Sequence, residues 1–253
     1  MTFQTFSSRP DITLAYHRFA GTPDKPGVLW LGGFRSDMTG IKATFLEEQC
    51  RKRSQSYVRF DYTGHGSSSG KFDDGNIGSW LQDALDALDH LTAGPQILVG
   101  SSMGGWIALL LALKRPERIK GLVGIAPAPD FSEDVWLHEF NDQQRQEVLE
   151  KGVFRRPSAY DDAGYPLYRH LFEDGRRHLL LHQPINIACP VHIVQGKKDD
   201  AVHWTKAEKI KGKLISKNVV ITYIDDGDHR LSRPEDLNVI DEKVIELSRA
   251  SGK

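Results

Sequence analysis

A chain of 253 residues, 39% hydrophobic and 26% charged, suits one large α/β domain or two small ones and excludes a disordered polymer. Its 33 basic and 34 acidic side chains leave a formal net charge of -1, which provides no field to hold a phosphate backbone or an acidic membrane surface. Nucleic acid is therefore not an expected partner.

In chain order, residues 3–6 and 12–18 flank the turn-forming Ser7-Ser8-Arg9-Pro10-Asp11 and read as an antiparallel hairpin at one sheet edge. Short apolar runs then recur at 28–31, 57–62, 97–100, 122–126, 191–195 and 219–224. Helical patterns lie between or after them at 41–52, 77–91, 103–113, 205–215 and 237–248. Such alternation predicts an α/β fold, with a mostly parallel sheet and helices on both faces.

Residues 127–187 break the rhythm, so 1–126 and 188–253 are expected to form the core and 127–187 an inserted helical cap. Within the insertion, Asn141 and Gln144 form a capping pattern, Glu147 and Lys151 sit i,i+4, and Gly152 ends the helix. The insertion also holds Trp136, Phe140, Phe154, Tyr160, Tyr165, Tyr168 and Phe172. These aromatics can pack the cap onto the sheet or wall an acyl chain, and Arg155, Arg156, Arg176 and Arg177 can be solvated or meet an anionic leaving group.

The N-terminus has neither a signal-peptide pattern nor an Arg-rich presequence, and the longest apolar run, 106–113, is far short of the ~20 residues of a membrane span. A cytoplasmic enzyme is expected. Cys50 and Cys189 lie outside any C-x-x-C pattern, so zinc, thioredoxin-like chemistry and a disulfide framework are not indicated.

Gly100-Ser101-Ser102-Met103-Gly104 fits G-x-S-x-G, with a strand before it and a helix after it. That setting makes a nucleophile elbow, in which glycines on either side leave room for a sharp, strained turn at the serine. Ser102 is the expected nucleophile, with Ser101 one place off the pattern. The Met103 N–H, at the start of the helix, points to where an oxyanion would develop.

A hydroxyl needs a base, and the base needs an orienting acid. Gly196-Lys197-Lys198-Asp199-Asp200 follows the 191–195 strand, so Asp199 is the expected acid and Asp200 the second candidate. His229, in Asp225-Asp226-Gly227-Asp228-His229-Arg230, stands between the last strand and the last helix and is the expected base. His65, in Asp61-Tyr62-Thr63-Gly64-His65-Gly66, is expected to shape a loop.

The order serine, acid, histidine is that of the α/β-hydrolases, which the chain resembles. Gly32-Gly33-Phe34 stands where those enzymes read His-Gly-x, which implies the Phe34 N–H as second oxyanion donor. Gly32 replaces the usual histidine, so its support must come from elsewhere.

Within that fold the chain resembles the palmitoyl-protein thioesterase and acyl-glucuronide esterase branch of animal mitochondria. The resemblance runs from about residue 25 to the C-terminus. It is carried by Arg59-Phe60-Asp61-Tyr62-Thr63-Gly64, Gly94-Pro95-Gln96-Ile97-Leu98-Val99-Gly100-Ser101-Ser102, Gly104-Gly105-Trp106, Lys198-Asp199-Asp200 and Asp228-His229-Arg230. Inside the insertion, Lys151-Gly152-Val153 and Pro157-Ser158 also match. Without a presequence, a bacterial cytosolic relative is the better fit.

The resemblance implies a serine hydrolase of acyl thioesters or activated esters, on small-molecule or protein-linked substrates, with no metal or cofactor. A carboxylesterase or cofactor-free perhydrolase on the same triad is the alternative; a non-catalytic binding protein would need a lost triad member, and none is lost.

Overall fold

The computed structural model describes residues 3–158 and 161–249. Strands β1 (Gln4–Arg9), β2 (Ile12–Phe19), β3 (Gly27–Leu31), β4 (Tyr57–Phe60), β5 (Gln96–Ser101) and β6 (Ile119–Ile125) precede the insertion. Helices α1 (Ile41–Lys52), α2 (Ile77–Leu91) and α3 (Met103–Lys114) connect them. The insertion carries α4 (Phe131–Asp134), α5 (Asp142–Lys151), β7 (Val153–Ser158), β8 (Asp161–Tyr168) and α6 (Arg169–Gly175). After it come β9 (Val191–Gly196), α7 (Thr205–Lys213), β10 (Val219–Ile224) and α8 (Pro234–Arg249).

One eight-stranded sheet runs in the order β1-β2-β4-β3-β5-β6-β9-β10. The β1–β2 and β2–β4 pairings are antiparallel and the remaining ladders are parallel. Along β5 the side chains alternate between two cores: Leu98 joins α2 and α3, whereas Ile97 and Val99 join α1 and α8. A strand buried on both faces must be apolar at every position, which is why 97–99 reads as an unbroken run. α3 is likewise buried from Met103 to Ala112, as a helix apolar all round must be.

Among the differences from expectation, one boundary and one added element have identifiable reasons. α8 begins at Pro234 rather than 237, because proline lacks only an N–H that the first helical turn leaves unpaired anyway. The insertion has the expected α5, with Asn141 Oδ1 accepting from the Gln144 N–H, Gln144 Oε1 accepting from the Asn141 N–H, and Gly152 at φ 78°. Beyond it lies a hairpin, β7–β8, that the sequence pattern hid. Pro157 and Pro166 argue against strands, yet a two-stranded ribbon consists only of edges, where proline is tolerated.

The elbow requires its glycines by contact. A Cβ on Gly100 would stand 2.3 Å from the Gly104 carbonyl oxygen, and one on Gly104 would stand 2.0 Å from that of Leu31. α3 thus crosses β3 at backbone distance. Gly104→Ala should therefore destabilise the fold by about 3 kcal/mol, since backbone cannot move aside as a side chain can. Urea denaturation checks this; a loss under about 0.5 kcal/mol would show that the crossing is loose.

Candidate active site

In-register parallel strands bring their C-terminal ends to one edge, where open α/β sheets gather functional loops. Gly32-Gly33-Phe34 follows β3, Ser102 follows β5, Asp199 follows β9 and His229 follows β10.

Ser102 has φ 54° and ψ -118°, a conformation that costs a non-glycine residue energy. Its N–H donates to the Ile125 carbonyl at 2.9 Å, and its own carbonyl accepts from Gly105 at 2.8 Å and Ala128 at 3.0 Å. The backbone is thus held from β6 and from the start of the insertion, and the hydroxyl projects from the turn. Ser101 ends β5 and is buried.

Ser102 Oγ is 3.1 Å from His229 Nε2, and His229 Nδ1 is 2.9 Å from Asp199 Oδ2. The second Asp199 oxygen, Oδ1, accepts from the Ala201 and Val202 amides at 2.9 and 2.7 Å. The Gln195 amide, fully buried at the end of β9, donates to Oδ2 at 3.0 Å. Asp200, one residue on, is exposed and lines the neighbouring cavity.

The loops of the acid and the histidine are clipped together, with the Lys198 N–H on the Gly227 carbonyl at 2.9 Å and the Lys197 N–H on that of Ile224 at 2.9 Å. From below, Leu231 anchors the histidine loop in the core, and the Lys42 ammonium donates to the Arg230 carbonyl.

Ser102 and His229 line a cavity of about 790 Å³. Phe34, Met103, Phe131, Val135, Leu167 and Val202 give it apolar walls. Around them stand charged groups of both signs, several already paired: Arg156 with Glu139 at 2.7 Å, and Lys206 with Asp134. Of the insertion's aromatics singled out from sequence, only Tyr165 lines this cavity among the described residues. Trp136, Phe140, Phe154 and Phe172 pack against one another inside the insertion, Tyr168 stacks on His170, and Tyr160 lies outside the described residues.

The arginines also divide: Arg155 lines a smaller adjoining cavity, Arg176 pairs with Glu133 and lies over the Trp136 ring, and Arg177 is exposed.

A model of the alpha/beta hydrolase family matches residues 27–239. The chain belongs to that family. It is 37% identical over 253 residues to the mitochondrial palmitoyl-protein thioesterase ABHD10 of Bos taurus, covering 96% of this chain and 81% of that one. The mouse alpha/beta hydrolase domain-containing protein 10 superposes with a TM-score of 0.89 at 35% identity, covering 98% of this chain and 100% of the other. A crystal structure from Agrobacterium vitis S4 gives a TM-score of 0.91 at 40% identity, with 98% of each chain covered. These likenesses extend through the insertion as well as the sheet.

Two participants around the triad-like line were missed from sequence. Gln195 left one trace there, a polar side chain closing an apolar strand. Arg35 left none, because the rings its guanidinium lies over, Phe72 and Tyr165 at 5.4 and 4.9 Å, come from distant segments.

Burial alone would raise the Asp199 carboxyl, but the hydrogen bonds from His229 and from the Val202 and Ala201 amides outweigh it and hold it below the usual 3.8. A depressed folded-state pKa means that Asp199 stabilises the fold fully above its unfolded value, and that this stability is lost as pH falls through the lower, folded one. A ¹³C titration of the Asp199 carboxyl should give a midpoint below 3.8. A midpoint above it would mean that desolvation dominates.

Proposed function

We propose that this protein is a serine hydrolase that cleaves acyl thioesters and activated carboxylic esters through an acyl-enzyme on Ser102. The observation that carries the proposal is the unbroken hydrogen-bonded line from Ser102 Oγ through His229 to Asp199, opening on a cavity with apolar walls. Similarity to a palmitoyl-protein thioesterase along nearly the whole chain supports the choice of bond.

In this reading His229 Nε2 takes the Ser102 proton as Oγ attacks the substrate carbonyl carbon. Asp199 holds the imidazole by its Nδ1–H and stabilises the imidazolium. The N–H groups of Phe34 and Met103 receive the oxyanion of the tetrahedral intermediate. Collapse of the intermediate breaks the bond to sulfur or oxygen, and His229 returns the proton to the leaving group. Water, deprotonated by the same imidazole, then attacks the acyl-enzyme and releases the acid.

A thiolate or an acidic alcohol leaves readily, so this chemistry demands little of the acid step. An amide would demand more, because an amine leaves only when protonated. We infer further that residues 127–187 act as a cap, since Val135, Tyr165 and Leu167 from that stretch line the same cavity as Ser102. We also read the protein as cytoplasmic: Cys50 and Cys189 are unpaired thiols, as suits a reducing compartment. No helix among the described residues is long and apolar enough to cross a membrane.

Ser102→Ala should lower turnover by roughly 10⁴- to 10⁶-fold while leaving the melting temperature nearly unchanged, since it removes one hydroxyl and creates no cavity. A fluorophosphonate probe should label Ser102, read by mass spectrometry. Label on Ser101, or on no serine, removes the assignment.

The apolar walls also bear on the acyl group. Each buried methylene contributes roughly 0.8 kcal/mol, so kcat/KM should climb by roughly fourfold per methylene over the first several carbons of an acyl-thioester series. It should then level off where the cavity ends. Rates that fall steadily from acetyl upward would indicate a short-chain esterase instead.

A further inference from the structure

The support for the oxyanion loop that Gly32 cannot give comes, in this fold, from the loop after β4. In the turn that follows β3, the Ser36 N–H donates to the Gly33 carbonyl at 3.1 Å, with Phe34 and Arg35 at its centre. Arg35 has φ 57°, whereas Phe34 is not among the residues of positive φ. A β-turn that requires positive φ at its second central residue, as type II does, favours glycine at that place. Arginine stands there instead, so something else must hold the turn.

His65 does so. Its Nε2 accepts the Arg35 N–H at 3.3 Å, and its Nδ1 lies 3.3 Å from the Thr63 carbonyl oxygen. A carbonyl can only accept, so the proton sits on Nδ1 and Nε2 is the bare acceptor. The ring is 4% exposed and meets Tyr62, Phe72 and Trp80 edge-on at 5.7, 5.1 and 5.3 Å. The charged side chains that bear on it, Arg35 in the turn and Asp37 just after it, act in opposite senses; burial dominates and brings its pKa down to about 4. It is therefore neutral at pH 7, as an acceptor must be. The Phe34 ring is in turn held by Phe72, Trp80 and Phe131 at 4.9, 5.8 and 5.7 Å.

We propose that His65 is a positioning residue for the oxyanion hole: by accepting the Arg35 N–H it selects the turn that aims the Phe34 N–H at the carbonyl oxygen over Ser102. This rests on the serine-hydrolase reading above.

The test uses the full chain with His65→Phe, which keeps a ring but no acceptor, and His65→Gln, whose side-chain oxygen can accept. His65→Phe should lower kcat on a short acyl thioester by roughly 10- to 100-fold, with KM within about twofold, because an oxyanion donor acts in the transition state. Affinity for a trifluoromethyl ketone, which forms an oxyanion adduct, should fall with kcat/KM while affinity for the product acid holds. His65→Gln should recover most of the loss.

Independently of activity and of variant folding, ¹⁵N NMR of the Ser102→Ala protein should find His65 as the Nδ1–H tautomer. The Nε2–H tautomer overturns the inference, as does a folded His65→Phe with unchanged kcat, or a loss that Gln does not restore. If Ser102→Ala stays active, the hydrolase reading fails instead, and the tautomer result still stands on its own.

Discussion

The backbone of Ser102 is the constraint on which this molecule is arranged. A non-glycine residue at φ 54° and ψ -118° costs about 1–3 kcal/mol, so it persists only where its surroundings over-determine it. Hydrogen bonds to the Ile125 carbonyl and from the Gly105 and Ala128 amides do this, each contributing about 1 kcal/mol net. Their sum is comparable with the strain. The contacts of Gly100 and Gly104 add a steric condition, since the turn closes only where no Cβ intervenes. Strand β6 and the first residues of the insertion therefore have a direct part in presenting one hydroxyl.

The other groups near that hydroxyl are placed by the same means, backbone contact between loops. A Cβ on Gly33 would stand 3.6 Å from the Ser102 Cβ, so the β3 loop runs against the elbow. Gly196 admits the histidine loop in the same way, since a Cβ there would stand 2.3 Å from the Gly227 carbonyl oxygen. Buried polar side chains then lock each loop to its neighbour. Asp61 accepts the Met38 and Ser67 N–H groups at 2.6 and 2.8 Å, and Asp130 accepts those of Leu180 and Leu181 at 2.8 Å each. Burial raises both carboxyls, so both are exceptions to the ordinary aspartate range that their amide partners only partly offset.

The insertion divides its apolar residues by purpose. Trp136, Phe140, Phe154 and Phe172 hold it together from within, whereas Phe131, Val135, Tyr165 and Leu167 face the cavity. Composition alone does not distinguish these sets, because a side chain that packs and one that lines a wall are equally apolar. Beside the site, the five-residue π-turn Val135–Glu139 places Val135 and His138 on the cavity wall.

Much of this was legible in the amino-acid order. Alternating apolar runs and helical patterns determined the doubly covered sheet, because a buried strand and an amphipathic helix each have one period that matches them. The triad-like line was legible as well: Ser102 lies between two glycines, Asp199 just past a strand end, and His229 between the last strand and the last helix. Each of those signals is local. The hairpin β7–β8 was not legible, because its two prolines argue against strands and only an edge-only ribbon admits them. The order of preference, Asp199 before Asp200, was legible too, but not the Gln195 amide and the two backbone amides that hold the Asp199 carboxylate beside His229. His65 could be read as shaping a loop, but which loop depended on β3 and β4 lying side by side. Local pattern reports what a residue is suited to do; which partner it meets is decided by strand order, which brings residues distant in the chain within hydrogen-bond reach.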